Sequence, residues 1–157
     1  MKQTTYNLAQ LNITKLKADL DDPIMKEFKD FLAPVNQLAE ESSGFVWRLK
    51  DETGETAINA ETPFEDPMVF VNMSVWKDNE ALKAYTYNTV HSYFLKNRKK
   101  WSDKMDSHQV VLWWVEQGHI PTLDEAKRKL DQLEKQGSTP SAFGLHEVYQ
   151  ADGTPLP

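Results

Sequence analysis

From Tyr6 to Leu16 the chain alternates. Ala9, Leu11 and Ile13 fall on one side and Leu8, Gln10, Asn12 and Thr14 on the other, the two-residue period of a strand with one purely apolar face. Beyond Asp21 and Asp22, Pro23 suits a first helical turn, and Ile24, Phe28, Phe31, Leu32, Val35, Leu38 and Ala39 recur at three- and four-residue spacing, which predicts a first helix. Pro34 falls inside it, removes a backbone donor and crowds the preceding turn, so a kink or break is expected between Asp30 and Pro34. Gly44 closes this helix. Phe45 to Lys50 then reads as a second strand, with Phe45, Trp47 and Leu49 on one side and Val46 and Arg48 on the other. Asp51 to Pro67, rich in acidic, Thr, Gly and Pro residues, is expected to be an exposed loop.

Met68 to Trp76 is a third strand, and Asp78 caps a second helix that carries Glu80 in its first turn and runs through Ala81, Leu82 and Tyr85 toward Trp101. Its apolar residues fall on two faces, so it is either buried on both or interrupted near Asn88 and Thr89. His108 to Glu116 is a fourth strand, apolar from Val110 to Val115. Thr122-Leu123-Asp124-Glu125 matches a capping box, and Leu123, Ala126, Leu130 and Leu133 give a narrow stripe ending at Gly137, the pattern of a superficial third helix. Ala142 to Tyr149 predicts a last short strand. Residues 1–150 read as one domain and 151–157 as a flexible tail.

Strand, helix, strand, strand, helix, strand is the order of the split βαβ unit, so the fold class is α+β and ferredoxin-like, with a helix and short strand appended. In that unit both main helices cover one face of an antiparallel sheet. Here Val69, Val71, Met73 and Val75 oppose a side carrying Phe70 and Trp76, so both faces call for burial. A bare apolar face drives association, and a two-fold pair is its commonest form; a homodimer through the sheet face is expected.

Composition narrows the function classes. With no cysteine there is no thiolate nucleophile, disulfide or metal–thiolate site, and a cytoplasmic location is the default. The net charge of −6, from 24 acidic against 18 basic residues, disfavours a general grip on nucleic acid or anionic lipid. Lys96, Arg98, Lys99, Lys100 and Lys104 are a local exception that complements a helix C-terminus. No apolar run approaches the roughly 20 residues of a membrane-spanning helix. There is no phosphate loop, dinucleotide glycine pattern, serine elbow or HExxH, and the acidic residues at Asp19, Asp21 and Asp22 read as helix caps, leaving no metal site expected.

Val71-Asn72-Met73-Ser74-Val75-Trp76 followed by Lys77-Asp78-Asn79-Glu80-Ala81-Leu82 resembles the antibiotic-biosynthesis monooxygenase branch of the dimeric α/β-barrel proteins. Leu8 to Ile13, Gly44 to Leu49, Asn72 to Leu82 and Leu112-Trp113-Trp114-Val115 with Gly118-His119 look closer still to an uncharacterised domain-of-unknown-function family, over roughly Tyr6 to Phe143. The resemblance implies a dimeric barrel and a small aromatic or quinol-like substrate, oxidised by O2 without a cofactor. Related members bind and degrade haem through a strand Asn, a Trp and a helix His, for which Asn12, Trp76 and His91 are the matching positions. His91 lies farther beyond Trp76 than in those relatives, and Tyr85 stands about where many of them carry His.

The residues support two readings. If Asn72, Ser74 and Trp76 share a face with Gln10 and Asn12, then Asn12, Asn72 and Arg48 orient an oxygenated aromatic while Trp47, Trp76, Tyr85 and Trp113 surround it. Asn72, Trp76 and His91 would then be the catalytic set, with His91 titrating near neutrality. Alternatively the amides bond one another or bridge a dimer, Arg48 pairs with a carboxylate, and the chain is a non-catalytic interaction scaffold. His108, His119 and His146 read as loop or edge residues.

Overall fold

The alternating stretch at the N-terminus becomes the middle of the sheet. In the computed structural model, which describes residues 5–50, 63–64, 66, 68–88, 98–103 and 108–156, it forms β1 (Tyr6–Leu16). Then come α1 (Lys26–Glu41), β2 (Phe45–Arg48), β3 (Val69–Trp76), α2 (Asn79–Asn88), the two-residue β4 (Ser102–Asp103), β5 (Val110–Glu116) and α3 (Leu123–Gln136). Among the described residues the architecture is mixed α+β: a five-stranded antiparallel sheet and three α-helices. The main path runs β2-β3-β1-β5, with β4 on the β5 side of β1, paired to Lys15 and Leu16.

Register sorts the side chains onto two faces. Leu8 lies opposite Trp76 and Trp114, Gln10 opposite Ser74 and Leu112, and Asn12 opposite Asn72 and Val110. This mixed face packs under α1 and α2, with Leu8, Ala39, Trp76, Leu82, Leu112 and Phe143 in one buried cluster and Leu16, Met25, Phe28, Leu32 and Trp101 in another. On the other face Ala9, Leu11, Ile13, Val71, Met73, Val75, Val111, Trp113 and Val115 pack against Ala126, Leu130 and Leu133 of α3. All of these are at most 5% exposed within a single chain.

That packing corrects two expectations. The third helix is not superficial: its narrow stripe is the cover of the apolar sheet face, so that face is not bare and a second subunit is not needed to bury it. Its capping box is also only half realised. The Thr122 hydroxyl accepts the Glu125 N–H at 3.1 Å, but the Glu125 carboxylate turns to β5, accepting the Trp113 Nε1–H at 2.8 Å and meeting His119 Nε2 at 2.7 Å. The start of α3 is thereby tied to the strand it covers.

Three local differences follow from tertiary context. A short 3-10 turn at Pro23–Met25 leads into α1, which continues unbroken through Pro34, an exposed position where the helix loses one backbone hydrogen bond without crowding the core. A bulge between Phe45 and Trp47 puts Phe45 opposite Trp76 but Trp47 opposite Val75, so these two aromatics face opposite sides of the sheet instead of sharing one. The segment from Ala142 to Tyr149 forms no strand, only isolated bridges from Ala142 to Thr139, from Phe143 to Leu112 and from Tyr149 to Pro155. In the tail, the Leu156 N–H donates to the Val148 carbonyl at 2.8 Å. Most of the expected loop at 51–67, residues 89–97 of the expected second helix, and Lys96 and Lys104 lie outside the described residues, while Arg98–Lys100 forms a 3-10 turn.

Gly44 stands where the chain turns from α1 into β2 with φ +82°, and a Cβ there would collide with the Ala81 Cβ. Left-handed backbone costs a residue with a Cβ roughly 1–2 kcal/mol, and crowding a packed helix adds about 1–3 kcal/mol. Gly44→Ala is therefore expected to lower the urea-unfolding free energy by at least about 2 kcal/mol. A loss under about 0.5 kcal/mol would show that α2 yields freely at this crossing.

Candidate functional site

Between the mixed sheet face and α1 the packing is incomplete. A cavity of about 250 Å³ is lined by Asn12 and Thr14 of β1, Phe28, Leu32, Val35 and Asn36 of α1, Phe70 and Asn72 of β3, and Trp101, Ser102, Gln109, Val110 and Leu145. A second space of about 70 Å³ shares Asn12, Val35, Asn72, Val110 and Leu145 with it and reaches Gln10, Ser74, Leu82, Tyr85, Thr86 and Leu112. The sequence opens this gap itself. At the centre of β1 and β3 the residues facing α1 are short polar ones, where Leu8, Trp76 and Phe70 on either side fill their space.

Those polar residues form a row. Gln10 Nε2 donates to Asn72 Oδ1 at 2.9 Å and to Ser74 Oγ at 2.8 Å, and Ser74 Oγ also accepts the Trp76 Nε1–H at 2.8 Å. Gln10 and Ser74 are each 7% exposed, whereas Asn12 is half-buried and Asn72 opens to solvent. Among the described residues the Gln10 carbonyl oxygen, the Asn72 amide nitrogen and the entire Asn12 amide have no hydrogen-bond partner. Buried polar groups are nearly always partnered, so an unmatched carbonyl oxygen on a buried Gln10 marks a place for a hydrogen-bonding molecule.

Aromatic packing fixes the row's far end. Trp76, fully buried, stacks on Tyr85 with centroids 4.9 Å apart and meets Phe45 edge-on at 5.6 Å. The Tyr85 hydroxyl donates to the Val35 carbonyl at 3.2 Å and so links α2 to α1. Burial pushes the Tyr85 phenol up to about 12, with the Arg48 charge opposing that rise. Since the unfolded phenol ionises near 10 and the folded one near 12, stability due to this group is intact below pH 10 and falls as pH climbs toward 12. Tyr85→Phe is expected to flatten that alkaline limb in unfolding measured from pH 9 to 12; an unchanged slope would mean that the phenol titrates normally.

Arg48 has a different task. At 7% exposed it places Nε 2.7 Å from Glu40 Oε1, tying β2 to the last turn of α1. This hydrogen bond, together with the Arg48 and Lys50 charges, holds the Glu40 carboxyl below its usual range. The ion pair expected for Arg48 as the alternative to ligand contact is thus present.

The structure brings together Asn12, Asn72 and Tyr85 on the cavity walls, with Trp76 behind them as packing. It separates the others. Trp47 and Trp113 face α3's side of the sheet, Arg48 engages Glu40, and His91 lies outside the described residues. Gln10 is the residue the sequence undervalued: its place in the alternating pattern was plain, but only the register with β3 shows it bonded to Asn72 and Ser74. Phe28 reads from the sequence as part of the helix stripe and Trp101 as a helix end; the wall they form also includes Asn36, which no sequence pattern singled out.

Among the described residues no group of three or more His, Cys, Asp or Glu side chains could hold a metal ion, and no helix is long and apolar enough to cross a membrane. Residues 7–156 match the family described as "Domain of unknown function (DUF3291)", and the chain belongs to that family. None of the curated proteins compared with the chain matches it. Among solved structures it is similar to NE2512, a protein of unknown function from Nitrosomonas europaea, at 16% identity over 76% of this chain and 97% of that one, with a TM-score of 0.47. It is also similar to PA3566 from Pseudomonas aeruginosa, at 12% identity over 75% of this chain and 100% of that one, again with a TM-score of 0.47.

Proposed function

We propose that this chain binds an uncharged small molecule of one or two flat rings in the cleft between the sheet and α1. The observation that carries the reading is the pairing of Asn12 with Asn72 across β1 and β3 on the lining of a 250 Å³ cavity. No described residue lining that cavity is ionisable. A charged ligand would give up water without gaining a counter-charge, whereas amides orient a neutral polar edge, and Phe28, Phe70 and Trp101 offer ring faces. A cavity of about 150 Å³ holds benzene, so this space suits one ring or a fused pair.

The strand order, with α1 and α2 on one face, supports the finer assignment of a split βαβ, ferredoxin-like unit, a fold that serves many unrelated functions. Oxidation of the bound molecule, implied by the monooxygenase resemblance, requires a proton acceptor. The described lining supplies none, and His91 lies outside the described residues, so the support extends to binding. The same volume fits a tetrapyrrole poorly. A scaffold role predicts a cleft filled by aromatic side chains, against which the open space counts. The reading requires no second subunit, and a homodimer through the apolar face would need α3 displaced.

Thermal unfolding with a panel of neutral and charged one- and two-ring compounds tests the proposal. A ligand at 100 times its dissociation constant adds about 2.7 kcal/mol, a rise of roughly 5–10 °C for a chain of this size. Val110→Phe, which fills the cavity from β5, should abolish the rise. No stabilisation by any neutral compound, or a rise that survives Val110→Phe, would overturn it.

A further inference from the structure

We infer that the ligand carries a cyclic amide or imide edge, an adjacent C=O and N–H on a flat ring; this rests on the binding reading above and names its chemical class. The unmatched groups in the cleft are of both kinds. Asn12 offers a donor and an acceptor, Asn72 a donor nitrogen, and Gln10, on the adjoining 70 Å³ space that shares Asn12 and Asn72, an acceptor oxygen. Hydroxyl-free hydrocarbons would leave all four unmatched, and a simple ketone or quinone would satisfy only donors. A molecule whose own donor and acceptor lie side by side satisfies both.

Geometry favours a planar edge. Asn12 and Asn72 are direct partners in an antiparallel pair, whose Cβ atoms lie roughly 4.5–5.5 Å apart, so their amides reach one side of a single ring. Gln10 is held by two hydrogen bonds, to Asn72 and Ser74, and cannot swing away to hide its oxygen without breaking them. Asn72 is fixed by Gln10 in turn, so part of the recognising surface is set before binding. One wall is aromatic, with Phe28 meeting Phe70 edge-on at 5.7 Å and Trp101 tilted beside Phe28 at 5.8 Å, and it offers apolar ring surface to a flat body. A carboxylate or phosphate in place of the amide edge would find no described cation on the lining.

Titration calorimetry with four probes separates the possibilities: 2-quinolone, N-methyl-2-quinolone, naphthalene and quinoline-2-carboxylate. The expected result is binding of 2-quinolone at least tenfold tighter than of the other three. It should weaken at least tenfold in Asn12→Leu and in Asn72→Leu, the latter at a solvent-open position where the fold is least at risk, with unfolding curves recorded alongside. If N-methyl-2-quinolone or naphthalene binds as tightly, or the carboxylate binds best, the amide-edge inference is overturned; in the first two cases the neutral-ligand cleft stands. If no probe binds and a wider neutral panel gives no thermal shift, both fall together.

Discussion

Replacing Leu133 by aspartate is expected to cost more than about 4 kcal/mol and to leave little folded protein in the absence of denaturant. Leu133 is 1% exposed on the inner side of α3, against Met73, Val75 and the rest of the apolar sheet face. Truncating a buried leucine costs about 2–5 kcal/mol, and a carboxylate with no partner in the same place adds the penalty of a buried, unpaired charge. Domains of this kind have about 5–15 kcal/mol to lose. Arg128→Gln, on the exposed side of the same helix, should stay within about 0.5 kcal/mol and controls for helix propensity.

This experiment also decides between two ways of covering the sheet. If a twin subunit shielded the apolar face and α3 merely rode on the surface, Leu133→Asp would be nearly silent, and Met73→Asp would give a folded, soluble monomer. With α3 as the cover, Met73→Asp unfolds the chain as Leu133→Asp does. Urea unfolding and light scattering on the two variants read both outcomes. A folded monomeric Met73→Asp protein would restore the homodimer through the sheet face.

Period-two and period-3.6 patterns made β1, α1, β3, β5 and α3 legible, because each buries one well-defined stripe. What they left out was which stripe meets which. Leu123, Ala126, Leu130 and Leu133 looked too narrow to matter, yet a narrow stripe suffices when the surface beneath is built from Ala9, Val71, Val75 and Val111, small and branched residues that let a helix lie close. The bulge in β2 was invisible for a related reason. Alternation alone puts Phe45 and Trp47 on one side, and only pairing with β3 reveals the extra residue. The cleft was half legible: Asn12, Asn72 and Tyr85 could be named from their positions on strand and helix, but the row through Gln10 and Ser74 depends on the β1–β3 register, which no local pattern fixes.

Trp76→Ala should be the other severe change, at about 3–5 kcal/mol, the range for removing a fully buried large aromatic. Its effect on binding is the more informative measurement. Trp76 does not line either space; it holds Ser74 through its indole N–H at 2.8 Å, Ser74 helps to hold Gln10, and Gln10 holds Asn72 on the lining of the cleft. It is a positioning residue, and Trp76→Phe separates that role from its bulk. Phenylalanine preserves the stacking partner for Tyr85 but gives Ser74 no donor, so stability should drop by roughly 1–3 kcal/mol from the lost bond and smaller ring. Affinity for a cleft ligand should fall although no contacting atom has changed. A double-mutant cycle with Ser74→Ala then gives the coupling, expected at about 0.5–1.5 kcal/mol for one buried hydrogen bond. If Trp76→Phe binds as well as the unaltered protein and the coupling is nil, the row does not transmit order from the aromatic core to the amides, and Asn12 and Asn72 must be held by the β1–β3 backbone alone.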